Sequence, residues 1–245
     1  IRAGEGTDNI DKKACEAKGV KVANTPGANN NSAAEHAIAL MMTVLRNTAA
    51  ANQTMKNGGW DKSKYTGLEL SNKKVGIVGF GRIGQIVAKR LQGFEPEILF
   101  FDPFIEKSDL PNTTKANTLE EIFSTCDVIT LHTPLMEKTK GMVNEALLSQ
   151  MKPQSILVNA SRGGIVDEVA LEKILSEGKI RGAGFDVFAT EPLEENSSLR
   201  KLDNLTLTPH LGASTAEAQV RVGEMAVNQL KEFFLNNNLL NEVRA

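Results

Sequence analysis

Along most of the chain, short apolar runs alternate with stretches in which apolar positions recur every three or four residues. A run that is apolar throughout suits a strand buried on both faces, and the 3.6-residue period suits the helices that cover it. The pattern therefore predicts βα units on a doubly wound parallel sheet, an α/β fold. The predicted strands are 75–78, 97–101, 128–131, 156–159, 182–187 and 205–207. Helix starts are readable between them. Thr118 and Glu121 form a capping box, in which hydroxyl and carboxylate each satisfy an orphan backbone N–H. Asn144 and Asp167 are N-caps for helices reaching about 151 and 177. Two longer helices frame the sheet. One opens on a second capping box, Ser32 with Glu35, and carries Ala34, Ile38, Met41 and Leu45 on one face. The other spans about 215–235 and presents Val220, Ala226, Val227, Leu230 and Phe234.

Residues 1–27 read as a separate small βαβ piece. It has a strand end at 1–4, the Gly4-Glu5-Gly6 turn, a helix at about 9–18 and a strand at about 20–24. So small a piece cannot bury its own core and is expected to be the remnant of a second domain. The Asn57-Gly58-Gly59 run predicts a boundary just ahead of the first sheet strand.

Composition narrows the chemistry. With 41% apolar and 24% charged residues in 245, the chain is ordinary globular protein, not disordered or fibrous. Lys and Arg number 28 against 30 Asp and Glu, so no basic excess advertises nucleic acid or an anionic membrane as partner. No apolar run approaches the ~18 residues of a membrane span. Cys15 and Cys126 stand far apart without metal-ligand spacing, so both are expected to be reduced and no metal site is expected. The start carries no secretory signal pattern, and the expectation is a cytoplasmic protein.

Gly79-Phe80-Gly81-Arg82-Ile83-Gly84 follows a predicted strand and precedes a helix expected at 85–92. In that context the first glycine permits the tight turn, the second lets backbone approach a pyrophosphate, and the third lets helix and strand pack closely. Asp102 ends the next strand, where a carboxylate can accept both adenosine ribose hydroxyls and repel a 2′-phosphate. The cofactor expected is therefore NAD rather than NADP.

Of three histidines, His36 lies on a helix and is most simply a packing or surface residue. His132 and His210 each follow a strand, at the carboxyl edge where open α/β sheets bind ligands. Arg162 and Glu191 end two further strand units at the same edge. Glu191 would hold one imidazole nitrogen of His210 and stabilise its charged form, while Arg162 would grip a substrate carboxylate with its planar fork. Beside a dinucleotide turn, these three point to hydride transfer.

The chain resembles the D-isomer-specific 2-hydroxyacid dehydrogenases over nearly all its length. The likeness is strongest in Gly4-Glu5-Gly6-Thr7-Asp8-Asn9-Ile10-Asp11, in 76–84, in Asn159-Ala160-Ser161-Arg162-Gly163-Gly164-Ile165-Val166-Asp167-Glu168, in Phe185-Asp186-Val187-Phe188-Ala189-Thr190-Glu191-Pro192 and in 209–218. The form Pro209-His210-Leu211-Gly212-Ala213-Ser214-Thr215, with Glu217-Ala218-Gln219, points within the family to members that oxidise 3-phospho-D-glycerate, a step of serine biosynthesis. The resemblance implies a Rossmann-like dinucleotide-binding domain over 28–214, an incomplete flavodoxin-like substrate domain begun by 1–27, and a helix at 215–245 returning to that domain. It implies His210 as proton donor and acceptor, Glu191 as its partner and Arg162 as the substrate-orienting cation. It puts Gly79, Gly81, Arg82, Ile83, Gly84, Asp102, Thr133, Pro134, Ala160, Asp186 and Gly212 on NAD, with Asp186 at the nicotinamide carboxamide. Arg2, Gly4 and Lys62 fall to a small anionic 2-hydroxy acid substrate. The helix carrying 32–47 would contribute to a homodimer interface.

Two departures matter. Glu5 stands where relatives usually have a small or β-branched residue, and a carboxylate there would face an anionic substrate. Relatives also begin with further βα units, so the chain is expected to be N-terminally shortened, and a shortened chain can bind NAD yet fail to turn over. Two rival readings stay open: another D-2-hydroxyacid dehydrogenase, of the hydroxypyruvate/glyoxylate reductase or D-lactate type, and a non-catalytic NAD-sensing scaffold.

Overall fold

The computed structural model describes residues 1–244. In chain order the elements are α1 (Lys12–Ala17), α2 (Asn30–Leu45), α3 (Thr48–Lys56), β1 (Lys74–Val78), α4 (Arg82–Leu91), β2 (Glu97–Phe101), β3 (Thr113–Lys115) and α5 (Leu119–Thr125). There follow β4 (Val128–Leu131), α6 (Glu145–Leu148), β5 (Ile156–Asn159), α7 (Glu168–Ser176), β6 (Gly182–Phe185), β7 (Leu205–Leu207) and α8 (Ala216–Asn236). The chain divides into two compact units, 34–212 and 1–33 with 213–245. That division does not fall at the Asn57–Gly59 run, where the sequence predicts a boundary. No helix among the described residues is long and apolar enough to cross a membrane.

The larger unit holds one seven-stranded parallel sheet in the order β3-β2-β1-β4-β5-β6-β7. Side chains alternate between two cores, as the two-residue period demands. Ile129, Leu131, Leu157, Ala183 and Phe185 face the core on the side of α5, α6 and α7, and Val75, Ile77, Val128, Ile156 and Val158 face the core under α2 and α4. Register then aligns the strand ends. Phe101 pairs with Val78, Val78 with Leu131, Leu131 with Asn159, Asn159 with Phe185 and Phe185 with Leu207. Six strands therefore end level, and the next residue of each begins a loop on one edge: Asp102, Gly79, His132, Ala160, Asp186 and Thr208.

The structure corrects several local expectations. Strand β6 stops at Phe185 rather than 187, because its neighbour β7 stops at Leu207. Strand β3 reads Thr-Thr-Lys and α3 follows a left-handed Asn47 (φ 52°), so neither shows in the apolar pattern. Helix α2 begins at Asn30, leaving Ser32 inside its first turn with a buried hydroxyl that caps nothing; Glu35 pairs with Arg90 at 3.1 Å instead. Thr118 accepts the Glu121 N–H (3.1 Å) as expected, but the Glu121 carboxylate accepts from Asn117 N–H (2.7 Å), one residue before the cap. Asn144 and Asp167 cap α6 and α7, and α6 is a single turn. Cys15 and Cys126 are free, and burial pushes the Cys126 thiol up to about 11.

The smaller unit departs further. Its segments near 2 and 24 lie side by side through Arg2 N–H to Ala23 O (2.8 Å) and Thr25 N–H to Gly4 O (3.1 Å), too few bonds to make the two expected strands. Helix α8, capped by Thr215, has the expected extent but not the expected face. Ala218, Val222 and Gln229 are buried, while Val220, Val227, Leu230 and Phe234 are exposed. Two polar bonds set that rotation: Gln229 Nε2 donates to Asn24 O (2.7 Å) and Arg221 Nε to Ala28 O (2.9 Å). In this chain, Val222→Ser should cost about 2 kcal/mol and Val227→Ser no more than about 0.5 kcal/mol in chemical denaturation. Equal losses would contradict the rotation.

Candidate active site

The turn from β1 to α4 is the first part of the site. Gly79 has φ +89°, and a Cβ there would stand 2.6 Å from His132 O; a Cβ on Gly84 would collide with Gly79 O. Those two glycines are demanded by the fold. Gly81 is different: its φ of −69° suits any residue, and a Cβ there would meet nothing within 4 Å. Helix α4 starts at Arg82, three residues earlier than the sequence suggests, and Gly81 caps it without a side chain. The first turn of α4, which Gly81 gives no side-chain cap, the open space above Gly81 and the buried, unpartnered Thr133 Oγ1 all fit the pyrophosphate half of a dinucleotide. Arg82 and Pro134 are exposed, and Ile83 and Thr133 half-buried, around this turn. Asp102 stands at the expected strand end, nearly buried. Its Oδ2 accepts Phe80 N–H (2.8 Å), and its Oδ1 accepts Phe104 N–H (2.8 Å) and Ile105 N–H (3.2 Å), so this carboxylate also shapes the glycine turn.

The second part gathers the residues after β5, β6 and β7. His210 Nδ1 lies 2.7 Å from Glu191 Oε2, and Glu191 Oε1 accepts Phe188 N–H at 3.0 Å. The imidazole is therefore held by one nitrogen, and Nε2 makes no hydrogen bond among the described residues. Arg162 sits on a turn pinned by the buried Asn159. The Asn159 amide donates to Arg162 O (3.0 Å) and accepts from Ser161 N–H (3.1 Å) and Oγ (2.8 Å). A Cβ on Gly163 would overlap Phe188 O, so only glycine lets the Arg162 turn lie against the loop leading to Glu191. That loop is held from α7 as well, where Glu168 Oε1 accepts Ala189 N–H at 2.6 Å. Burial, with the charges of Asp167 and Glu191, raises the Glu168 carboxyl above its ordinary range despite that N–H.

Asp186 is fully buried and central. Its Oδ1 accepts Thr208 Oγ1 (2.6 Å) and Leu211 N–H (2.7 Å), its Oδ2 accepts Gly212 N–H (2.8 Å), and His36 Nε2 lies 3.1 Å from Oδ1. Burial alone would raise this carboxyl, but the bonds from His36, Thr208 and Leu211 outweigh it and hold it below the usual range. His36, read from the sequence as a packing or surface residue, is a partly buried side chain bonded to Asp186 and Thr208, a partnership the sequence reading missed; its spacing of four from Leu40 and eight from Val44 was the available signal. His132 is bonded to Thr130 Oγ1 at 3.0 Å, and burial pushes its imidazole down to about 4. Ala160 begins the loop after β5. In the smaller unit, a Cβ on Gly4 would overlap the Arg2 guanidinium, so these two substrate candidates are neighbours. Lys62 is exposed on a turn of the larger unit.

Two outcomes test this geometry. Gly81→Ala should leave stability within about 0.5 kcal/mol of the parent yet weaken NAD binding by about tenfold or more in a fluorescence titration; unchanged affinity would contradict the reading of that space. His132, with a depressed pKa, contributes stability that is fully present above about pH 6.5 and lost as pH falls towards about 4. Its Hε1 resonance should hold the neutral position from pH 8 to about 5.5, and a midpoint near 6.5 would contradict the burial.

Residues 38–212 match the family model described as D-isomer specific 2-hydroxyacid dehydrogenase, NAD binding domain. A D-3-phosphoglycerate dehydrogenase of Archaeoglobus fulgidus is 42% identical over 241 residues, covering 96% of this chain and 46% of that protein. A hydroxypyruvate reductase of Thermotoga maritima is 45% identical over 231 residues, covering 94% of this chain and 75% of the relative. The chain thus spans under half the length of the first and three quarters of the second. Among solved structures, an NAD-dependent formate dehydrogenase from Staphylococcus aureus in complex with NAD superposes with a TM-score of 0.93 at 32% identity, covering all of this chain and 75% of that one. With a parallel sheet, a glycine turn and a matching family model over most of its length, the chain belongs to the D-isomer specific 2-hydroxyacid dehydrogenase family and carries its NAD-binding domain.

Proposed function

We propose that this chain is the catalytic, NAD-binding part of a dehydrogenase that oxidises 3-phospho-D-glycerate to 3-phosphohydroxypyruvate. The observation that carries the reading is the 2.7 Å bond from His210 Nδ1 to Glu191 at the edge that also bears the glycine turn. Bound NAD supplies the hydride acceptor. Everything else falls to the chain's own side chains. His210, oriented by Glu191, takes the substrate hydroxyl proton at Nε2, and Glu191 offsets the charge that arrives on the ring. Arg162 holds the substrate carboxylate and polarises the developing carbonyl, a task its planar fork suits. Gly79, Gly81, Arg82, Ile83 and Gly84 cradle the pyrophosphate, Asp102 takes the adenosine ribose, Thr133, Pro134 and Gly212 also contact the cofactor, and Ala160 and Asp186 lie near the nicotinamide.

The smaller unit is the part of the substrate domain present in this chain, and its Arg2 and Gly4 serve the substrate. Two copies pair through α2 as a cytoplasmic homodimer. The phosphorylated substrate is favoured by the 209–219 segment and by the phosphoglycerate dehydrogenases among the relatives. Hydroxypyruvate is the second reading, favoured by the Thermotoga maritima relative, of which this chain covers the larger share.

In the protein that carries this chain, His210→Ala should lower kcat by about 10² or more while NAD affinity stays within about twofold. Parent turnover in that variant would remove His210 from the reaction. A panel of 3-phosphohydroxypyruvate, hydroxypyruvate, glyoxylate and pyruvate with NADH should give the highest kcat/KM for the phosphorylated acid. Preference for hydroxypyruvate would transfer the assignment to the second reading, and no turnover of any would favour an NAD-sensing scaffold.

A further inference from the structure

His210 carries an unusual backbone: its φ is +56°, a left-handed conformation that costs a non-glycine residue about 1–2 kcal/mol and persists only where its surroundings impose it. Asp186 supplies most of the imposing bonds, beside a 3.1 Å bond from His210 N–H to Thr208 O within the turn. Asp186 O accepts His210 N–H (2.9 Å), Asp186 Oδ1 accepts Leu211 N–H (2.7 Å), and Asp186 Oδ2 accepts Gly212 N–H (2.8 Å). Three successive amides are thus gathered onto Asp186, and the turn's shape follows the orientation of its carboxylate. Thr208, the first residue after β7, also donates to Oδ1 but belongs to the sheet and cannot anchor the turn from another layer. His36 can. It sits on α2, and its Nε2 is 3.1 Å from Asp186 Oδ1 and 3.0 Å from Thr208 Oγ1.

The sequence delivers His36 there through a matched ladder. On α2, His36, Leu40 and Val44 are four apart and share a face, with about 6 Å between successive members. On the β6 line, Gly182, Gly184 and Asp186 are two apart and face one side, about 6.6 Å between members. The two repeats run in register: a Cβ on Gly182 would stand 3.3 Å from Val44 Cγ1, and one on Gly184 would stand 3.2 Å from Leu40 Cβ. Two missing side chains let α2 close on the strand, and the third rung is His36 against Asp186.

We infer that His36 is a positioning residue for the reaction: from α2 it orients the Asp186 carboxylate, and through it the left-handed turn that presents His210 to Glu191. The inference rests on the acid–base reading of His210. Its test compares His36→Leu with His36→Gln, which keeps a side-chain donor. Two quantities are read: hydrogen exchange at the amides of His210, Leu211 and Gly212, and steady-state reduction of 3-phosphohydroxypyruvate by NADH. His36→Leu should speed exchange at those three amides about tenfold, leave the β1 amides unchanged, and lower kcat about tenfold with KM for the oxo acid within about twofold. His36→Gln should recover most of both losses. Unchanged exchange at the three amides, equal acceleration across the sheet, or a glutamine variant no better than leucine would each overturn the inference. Should His36→Leu not fold, His36→Ala takes its place in the same comparison with His36→Gln. Failure of the acid–base reading shows separately, as full turnover in His210→Ala, while the exchange data still decide whether His36 holds the turn.

Discussion

Six parallel strands ending in one row set the geometry on which all the chemistry depends. A parallel sheet covered on both faces leaves its loops nowhere to go but the two edges, and level register places the first residue after each strand side by side. The row runs from Asp102 through Gly79, His132 and Ala160 to Asp186 and Thr208. Backbone bonds carry the ladder one step past the strands, with His132 N–H on Val78 O and Thr208 N–H on Phe185 O. Residues far apart in sequence are thereby placed with the precision of a hydrogen-bond ladder.

Glycine does two separate jobs around that edge. Gly79, Gly84, Gly163, Gly182 and Gly184 stand where a Cβ would meet other parts of the protein, so the fold itself requires or strongly favours them. Gly81 stands over open space with an ordinary backbone, so its selection answers to a ligand rather than to folding. The same division applies to polar groups. Asp186 and Asn159 are buried carriers whose polar atoms shape turns, whereas His210 and Arg162 are carried on those turns.

Much of this was legible from the chain. Continuous apolar runs marked six of seven strands, and the glycine turn, Asp102 and the Glu191–His210 pair were readable as motifs at strand ends. What escaped has physical reasons. Strand β3 is three polar residues on an edge and lacks any burial signal. The buried face of α8 was misjudged because Gln229 and Arg221 find backbone acceptors that outweigh exposed valines, a tertiary effect invisible to periodicity. Ser32 looked like a cap because its spacing to Glu35 was right, but α2 had already begun two residues earlier. His36 was assigned no role because its partner lies 150 residues away, on the far side of a helix–strand contact that only the paired glycines disclose.

The most direct measurement is a crystal structure of the protein with NAD and a 2-hydroxy acid bound. The account places the substrate hydroxyl within about 2.6–3.2 Å of His210 Nε2 and its carboxylate on the Arg162 guanidinium, with the pyrophosphate over Gly81. A ternary complex with the acid seated away from His210, or with Glu191 turned from the imidazole, would contradict it.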